Sequence, residues 1–139
     1  MTEHPLEVWH RLVRTQEVSG LQTLLAEDAV FHSPVVHTPQ RGRALAAAYL
    51  GAAFRVFLNP GFRYVREIVG ASDAMLEFET EVDGILVNGV DIIQWNDVGQ
   101  ITDFKVMLRP LKAINVIQQR MAEVLQAAPP RYATGLFRS

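Results

Sequence analysis

Residues Ala74–Val82 alternate without a break: Leu76, Phe78, Thr80 and Val82 are interleaved with Glu77, Glu79 and Glu81. Side chains of a strand point to opposite faces in turn, so this run predicts a strand with one apolar and one acidic face. Asp83-Gly84 follows, a dipeptide suited to a tight hairpin, and Ile85–Asn96 returns as a second, largely apolar strand. The greasy face of this hairpin needs a second layer to cover it.

That layer is legible on both sides of the hairpin. Leu6, Trp9, Leu12 and Val13 recur at helical spacing and predict a helix over residues 5–16. Gly20 separates it from a short helix, Leu21–Ala26, which leads to a strand at Ala29–Ser33 and a loop marked by Pro34 and Pro39. Gly42 precedes a third helix running to about Leu58, where Asn59-Pro60-Gly61 stops it. Phe62–Val69 and Ile101–Leu108 suit strands, joined to the hairpin by turns at Gly70–Asp73 and Asn96–Gly99. Pro110 suits the first position of a last helix with the stripe Leu111, Ile114, Ile117, Met121 and Leu125.

The expected fold is therefore α+β: N-terminal helices, a four-stranded antiparallel meander and a closing C-terminal helix. To bury both apolar sets the sheet must curl around the helices, which makes a cone with a hollow fit for a ligand. Residues 1–139 read as a single domain, with 129–139 as a flexible tail.

Composition narrows the function. About half of the 139 residues are apolar, the net charge is −2 and no basic tract occurs, so no nucleic-acid surface is expected. The absence of cysteine excludes disulfides, thiolate metal sites and a cysteine nucleophile. The N-terminus lacks the pattern of a signal peptide, and the longest apolar segment, Ala44–Leu58, is broken by Gly51 and Arg55. A soluble cytoplasmic protein, without membrane contact or cofactor, is the expectation.

Asp91 is the principal candidate for chemistry. It projects on the same side of its strand as Ile85, Val87, Ile93 and Trp95. A carboxylate among such neighbours loses water, which raises its pKa unless a donor compensates. It could serve as acid, base or polar anchor for a ligand, or pair structurally with an arginine or a backbone donor. Ser33 and His37 are secondary candidates, in a Ser33-His37-Asp91 relay that the spacing permits but does not require. Alternation turns His32 away from the hollow, and His32 and His37, five apart in a loop, make a poor metal pair. Trp9, Phe31, Tyr49, Phe54, Trp95 and Phe104 are the aromatics assigned to ligand contact. Glu77, Glu79, Glu81 and Asp83 form an outer acidic strip for which Arg63 or Arg66 would be cross-strand partners. Pro129-Pro130-Arg131-Tyr132 matches the short pattern read by WW domains, although prolines after a helix are ordinary stop signals.

Three stretches, with the order of elements, resemble the nuclear-transport-factor-2-like superfamily, which includes ketosteroid isomerases and SnoaL-like polyketide cyclases. They are Leu24–Pro34, Gln40–Leu45, and Val90-Asp91 through Gly99-Gln100-Ile101 to Ala113. The resemblance spans about Leu6 to Leu125 and implies the cone fold, a small apolar ligand or substrate, and a homodimer through the exposed sheet face. It places the isomerases' protonated oxyanion-hole aspartate on Asp91 and their oxyanion tyrosine near Trp9. Their general base, an aspartate before a proline, falls on Ser33 before Pro34. Serine without an adjacent base accepts no proton at neutral pH. The resemblance thus implies either a small-molecule-binding protein of unspecified activity or an isomerase- or cyclase-type enzyme that moves a proton next to a carbonyl.

Overall fold

The computed structural model describes residues 3–127. Helix α1 (Pro5–Thr15) begins where the His4 ring accepts a hydrogen bond from the Leu6 amide, with Pro5 in the first turn. It buries Leu6, Trp9 and Leu12, and ends at Gln16 in the left-handed conformation. A 3-10 turn, Val18–Gly20, leads into the single helical turn α2 (Leu21–Leu24).

The chain then departs from the sequence reading. Strand β1 (Leu25–His32) starts at Leu25, where the short helix was expected to continue to Ala26, and it ends one residue before Ser33. The apolar run Leu24-Leu25-Ala26 satisfies both helical and strand periods, and a distant partner decides between them. That partner is β6 (Ile101–Arg109), which pairs with β1 in parallel, Phe31 opposite Phe104 and His32 opposite Lys105. The two-residue strand β2 (Gln40–Arg41) flanks β1 on its other side.

The remaining strands, β3 (Arg63–Val69), β4 (Asp73–Val82) and β5 (Ile85–Trp95), form the expected antiparallel meander with β6. The sheet thus has six strands in the order β2-β1-β6-β5-β4-β3; it is curved, open and mixed, not purely antiparallel. Asp83 and Gly84, with φ of 53° and 77°, make the tight turn between β4 and β5.

Helix α3 (Arg43–Phe57) follows Gly42, whose φ of 96° suits glycine, and packs on β1 and on the last helix. That last helix, α4 (Leu111–Ala127), begins one residue later than expected. Pro110 precedes it and offers its carbonyl to the amides of Ala113 and Ile114. Its buried stripe is Ala113, Ile117, Met121 and Leu125, while Leu111 is 72% exposed. The strict four-residue step from Leu125 back to Ala113 leaves Leu111 off the buried face.

Candidate functional site

Alternation along β5 turns Val87, Gly89, Asp91 and Ile93 toward the helices, and all four are buried. Asp91 lies between Leu76 of β4 and Val106 of β6 and is 5% exposed. Its donor comes from β3: the Tyr64 hydroxyl donates to Asp91 Oδ2 over 2.7 Å. The Trp9 indole of α1 in turn donates to the Tyr64 oxygen over 2.9 Å. An indole N–H can only donate, so Tyr64 accepts from Trp9 and its own hydrogen points to Asp91. The chain of hydrogen bonds therefore has one direction and ends on a carboxyl oxygen.

Burial pushes the Asp91 carboxyl up to about 7, against the opposing pull of the Tyr64 hydrogen bond. The Tyr64 phenol is held well above its ordinary range, by burial first and then by the charge and hydrogen bond of Asp91. Near neutral pH the carboxyl is thus present in both protonation states and can act as acid, base or anchor.

A cavity of about 40 Å³ lies against this group. Trp9, Phe54 and Phe104 line it as one aromatic cluster, with ring centroids 5.5 Å and 4.8 Å from Trp9. Phe57, Phe62, Tyr64 and Phe78 line it as a second, in which Phe62 stacks on Phe78 at 5.3 Å. Val13, Ala53, Leu58 and Phe62 are only half-buried and give the cavity its side toward solvent. By volume it holds roughly one water-sized group, well short of the ~300 Å³ at which drug-sized pockets begin.

Residues 6–104 match the family model for a SnoaL-like domain. The chain belongs to the SnoaL-like domain family. Among solved structures this SnoaL-like chain is 34% identical to a steroid delta-isomerase from Pseudomonas aeruginosa, with a TM-score of 0.84 over 88% of this chain and 90% of that one. It is 32% identical to an uncharacterized protein with a cystatin-like fold from Silicibacter pomeroyi DSS-3, with a TM-score of 0.82 over 89% and 86%. An NTF2-like protein of unknown function from Mesorhizobium loti shares the fold, at 21% identity and a TM-score of 0.65 over 76% and 91%. No curated protein matches the chain.

The SnoaL-like fold distributes the other candidate residues as follows. Trp9, Phe54 and Phe104 line the cavity with Asp91. Phe31 and Tyr49 lie outside it: Phe31 packs between Tyr49, 5.8 Å away, and Phe104, 6.2 Å away, as part of the core. Trp95 also lies outside, half-buried at the end of β5 and edge-on to His4 at 5.1 Å.

Ser33 and His37 are not brought to Asp91. Because β1 ends at His32, Ser33 turns into the loop, where its hydroxyl accepts from the Val35 amide. It lines a separate surface depression of about 390 Å³ with His32, Lys105 and the exposed His37. His32 points away from the chamber, as alternation required, and meets Asp103 at 2.9 Å. Among the described residues no three His, Cys, Asp or Glu side chains gather as a metal site. The acidic strip does meet its cross-strand arginines, Glu77 with Arg66 at 3.0 Å and Glu79 with Arg63 at 2.6 Å, while Asp83 bonds Arg120 of α4. The stretch 129–132 lies outside the described residues. Among the described residues no helix is long and apolar enough to cross a membrane.

Tyr64 is the site residue that the sequence does not single out. Two signals pointed to it. A buried carboxylate requires a donor. The Asp83-Gly84 turn also sets the register that puts Phe78 beside Gly89, and Tyr64 pairs with Phe78 on the next strand. The diagonal from Tyr64 to Asp91 follows once the edge strand is in place.

Proposed function

We propose that this SnoaL-like domain binds a small, mostly apolar molecule in the aromatic chamber, with Asp91 as its polar anchor. The observation that carries this reading is the Trp9–Tyr64–Asp91 chain, which fixes a single ionisable carboxyl against an otherwise apolar cavity. A packed core gains nothing from a buried carboxyl that an apolar side chain would not supply. Binding is tested by titrating Trp95→Phe protein with small apolar ligands and following Trp9 fluorescence. Saturable change that is lost in the Asp91→Ala variant supports the reading; no change across the panel counts against it.

A second reading, an enzyme moving a proton next to a carbonyl with Asp91 as acid or base, draws support from the 34% identity to the P. aeruginosa steroid delta-isomerase. Two features weigh against steroid isomerisation by the two-aspartate route. Ser33 is outside the chamber, and the hydrogens of Trp9 and Tyr64 are already committed along the chain. The assay is conjugation of a β,γ-unsaturated ketosteroid, read by ultraviolet absorbance. Turnover abolished by Asp91→Asn would establish the enzyme reading, and turnover retained in that variant would remove Asp91 from it.

The wider setting of this reading is a single SnoaL-like domain, acting in the cytoplasm as a homodimer through its outer sheet face. Support for the dimer comes from Ile68, Met75 and Met107, apolar side chains exposed on that face.

A further inference from the structure

We infer that the turn between α3 and β3, residues 58–62, is the gate of the aromatic chamber, held shut on β4 by the side chain of Asn59. This gate presupposes the ligand chamber proposed above and adds how it is entered. With room for roughly one water, the closed chamber admits nothing larger, so any larger ligand must displace part of its wall.

Most of that wall is fixed. Phe78, Asp91, Phe104 and Val106 stand on β4, β5 and β6, strands that are paired on both edges. Phe54 and Phe57 are buried on α3. Leu58 and Phe62 are the lining residues that belong to neither a helix nor a strand, and both are half-buried. The Asn59 amide bonds the Phe57 carbonyl, and the Phe62 amide bonds the Asn59 carbonyl. The backbone of the turn is thus bonded to itself and to the end of α3, and it can lift without breaking the sheet ladder. Segments held by so few contacts open at far less cost than the whole fold.

Asn59 ties the turn to the sheet. Strand β3 starts at Arg63 opposite Glu79, so the Glu81 carbonyl has no β3 residue across from it. The Asn59 side-chain amide takes that place and donates to the Glu81 carbonyl over 2.9 Å. Its oxygen accepts from the Gly61 amide at 2.8 Å, which braces the turn, and from the Thr80 hydroxyl at 3.3 Å. Thr80 has one hydrogen and a nearer acceptor, the Phe57 carbonyl at 3.1 Å, so the bond to Glu81 is the main latch. From α1, the Gln16 side chain reaches the Leu58 carbonyl at 3.5 Å, the limit of a hydrogen bond.

Phe62 is the moving leaf. It stacks on Phe78 at 5.3 Å and stands edge-on to Tyr64 at 5.1 Å. Lifting the turn therefore uncovers Tyr64, the middle of the Trp9–Tyr64–Asp91 chain, and lets solvent reach the Trp9 indole N–H.

The test reads opening without a ligand. Hydrogen–deuterium exchange of the Trp9 indole N–H is followed by NMR, with the Ile93 amide of β5 as the measure of global unfolding. Asn59→Asp keeps the oxygen that braces the turn, removes the donor to Glu81 and sets a carboxylate against a carbonyl. Trp9 exchange should quicken about tenfold, the upper range for one lost hydrogen bond, while Ile93 exchange stays unchanged. Acrylamide, which is larger than one water, should quench Trp9 fluorescence several-fold more strongly in the same variant on a Trp95→Phe background. His4→Ala loosens the start of α1 instead and should leave both readings within about twofold of wild type. Unchanged Trp9 exchange in Asn59→Asp, or equal acceleration at Trp9 and Ile93, would overturn the gate. Acceleration by His4→Ala would overturn it too, by placing the opening at α1. None of these readings depends on affinity. An opening gate together with small apolar ligands that leave Trp9 fluorescence unchanged would support the gate and sink the binding reading alone.

Discussion

The Tyr64 hydroxyl sits 2.7 Å from Asp91 Oδ2 and cannot turn away, because the Trp9 indole occupies its oxygen from the other side. The site is thereby tuned in two opposing ways. Burial favours the neutral acid, and the phenol favours the carboxylate, leaving the midpoint at about 7.

Removing the phenol should expose that opposition. In Tyr64→Phe the carboxyl keeps its burial and loses its donor, so its midpoint should rise above the wild-type value of about 7. Carbon-detected NMR of the Asp91 carboxyl across pH 4–10 measures both. An unchanged or lower midpoint in the variant would mean that the phenol does not bond the carboxylate in solution.

The same group should set part of the pH dependence of stability. Its carboxyl moves from an ordinary 3.8 to about 7 on folding. The folded chain holds this proton more tightly than the unfolded chain. Asp91's stabilising contribution is therefore complete below about pH 4, falls as pH rises to about 7, and is level beyond. Three pH units at 1.36 kcal/mol each bound the loss at roughly 4 kcal/mol. Asp91→Asn keeps the shape without the charge, so its stability relative to wild type should improve by a few kcal/mol from pH 5 to pH 8. Urea denaturation at the two pH values checks this, and a difference independent of pH would show that the carboxyl titrates as it does in water.

How much of this was legible in the chain follows from which contacts are local. The β4–β5 hairpin, the inward face of Asp91 and the glutamate strip all rest on alternation and one turn dipeptide, and the structure has them as read. The parallel pairing of β1 with β6 joins residues more than seventy positions apart and leaves no periodic trace, so both ends of β1, and with its end at His32 the turning away of Ser33, were misread. Tyr64 went unnoticed for the same reason. Its partners Trp9 and Asp91 are 55 and 27 residues away, and nothing in its own neighbourhood distinguishes it from a core ring.

Gly89 provides a test of how tightly the chamber wall is packed. A β-carbon there would run into the ring of Phe78 and lie 2.7 Å from Leu108, closer than real contacts. Phe78 lines the chamber and is 2% exposed, so it has little room to retreat except into the cavity. Gly89→Ala should therefore cost about 1–3 kcal/mol, as overpacked cores do, and should reduce ligand binding as well. Thermal melting with a parallel Trp9 fluorescence titration measures both, and unchanged stability would mean that Phe78 yields freely.

The outer face of the sheet supports a prediction about assembly. Ile68 pairs with Met75 across β3 and β4, and Val90 pairs with Met107 across β5 and β6, so four apolar side chains line one groove of about 400 Å³. Ile68, Met75 and Met107 are 59%, 41% and 49% exposed. Beside them lie the Arg66–Glu77 and Arg63–Glu79 pairs, whose opposite charges already neutralise each other within one sheet. Such a face suits an interface with an apolar centre and a wet polar rim, where a rim pair broken singly costs little and an apolar side chain made charged costs much. Met107→Glu should therefore convert a dimer to a monomer with the same circular dichroism, whereas Arg63→Ala should leave the dimer in place. Sedimentation equilibrium at micromolar concentrations separates the outcomes. A monomeric wild-type protein, or a Met107→Glu variant that still dimerises, would move the contact off this face.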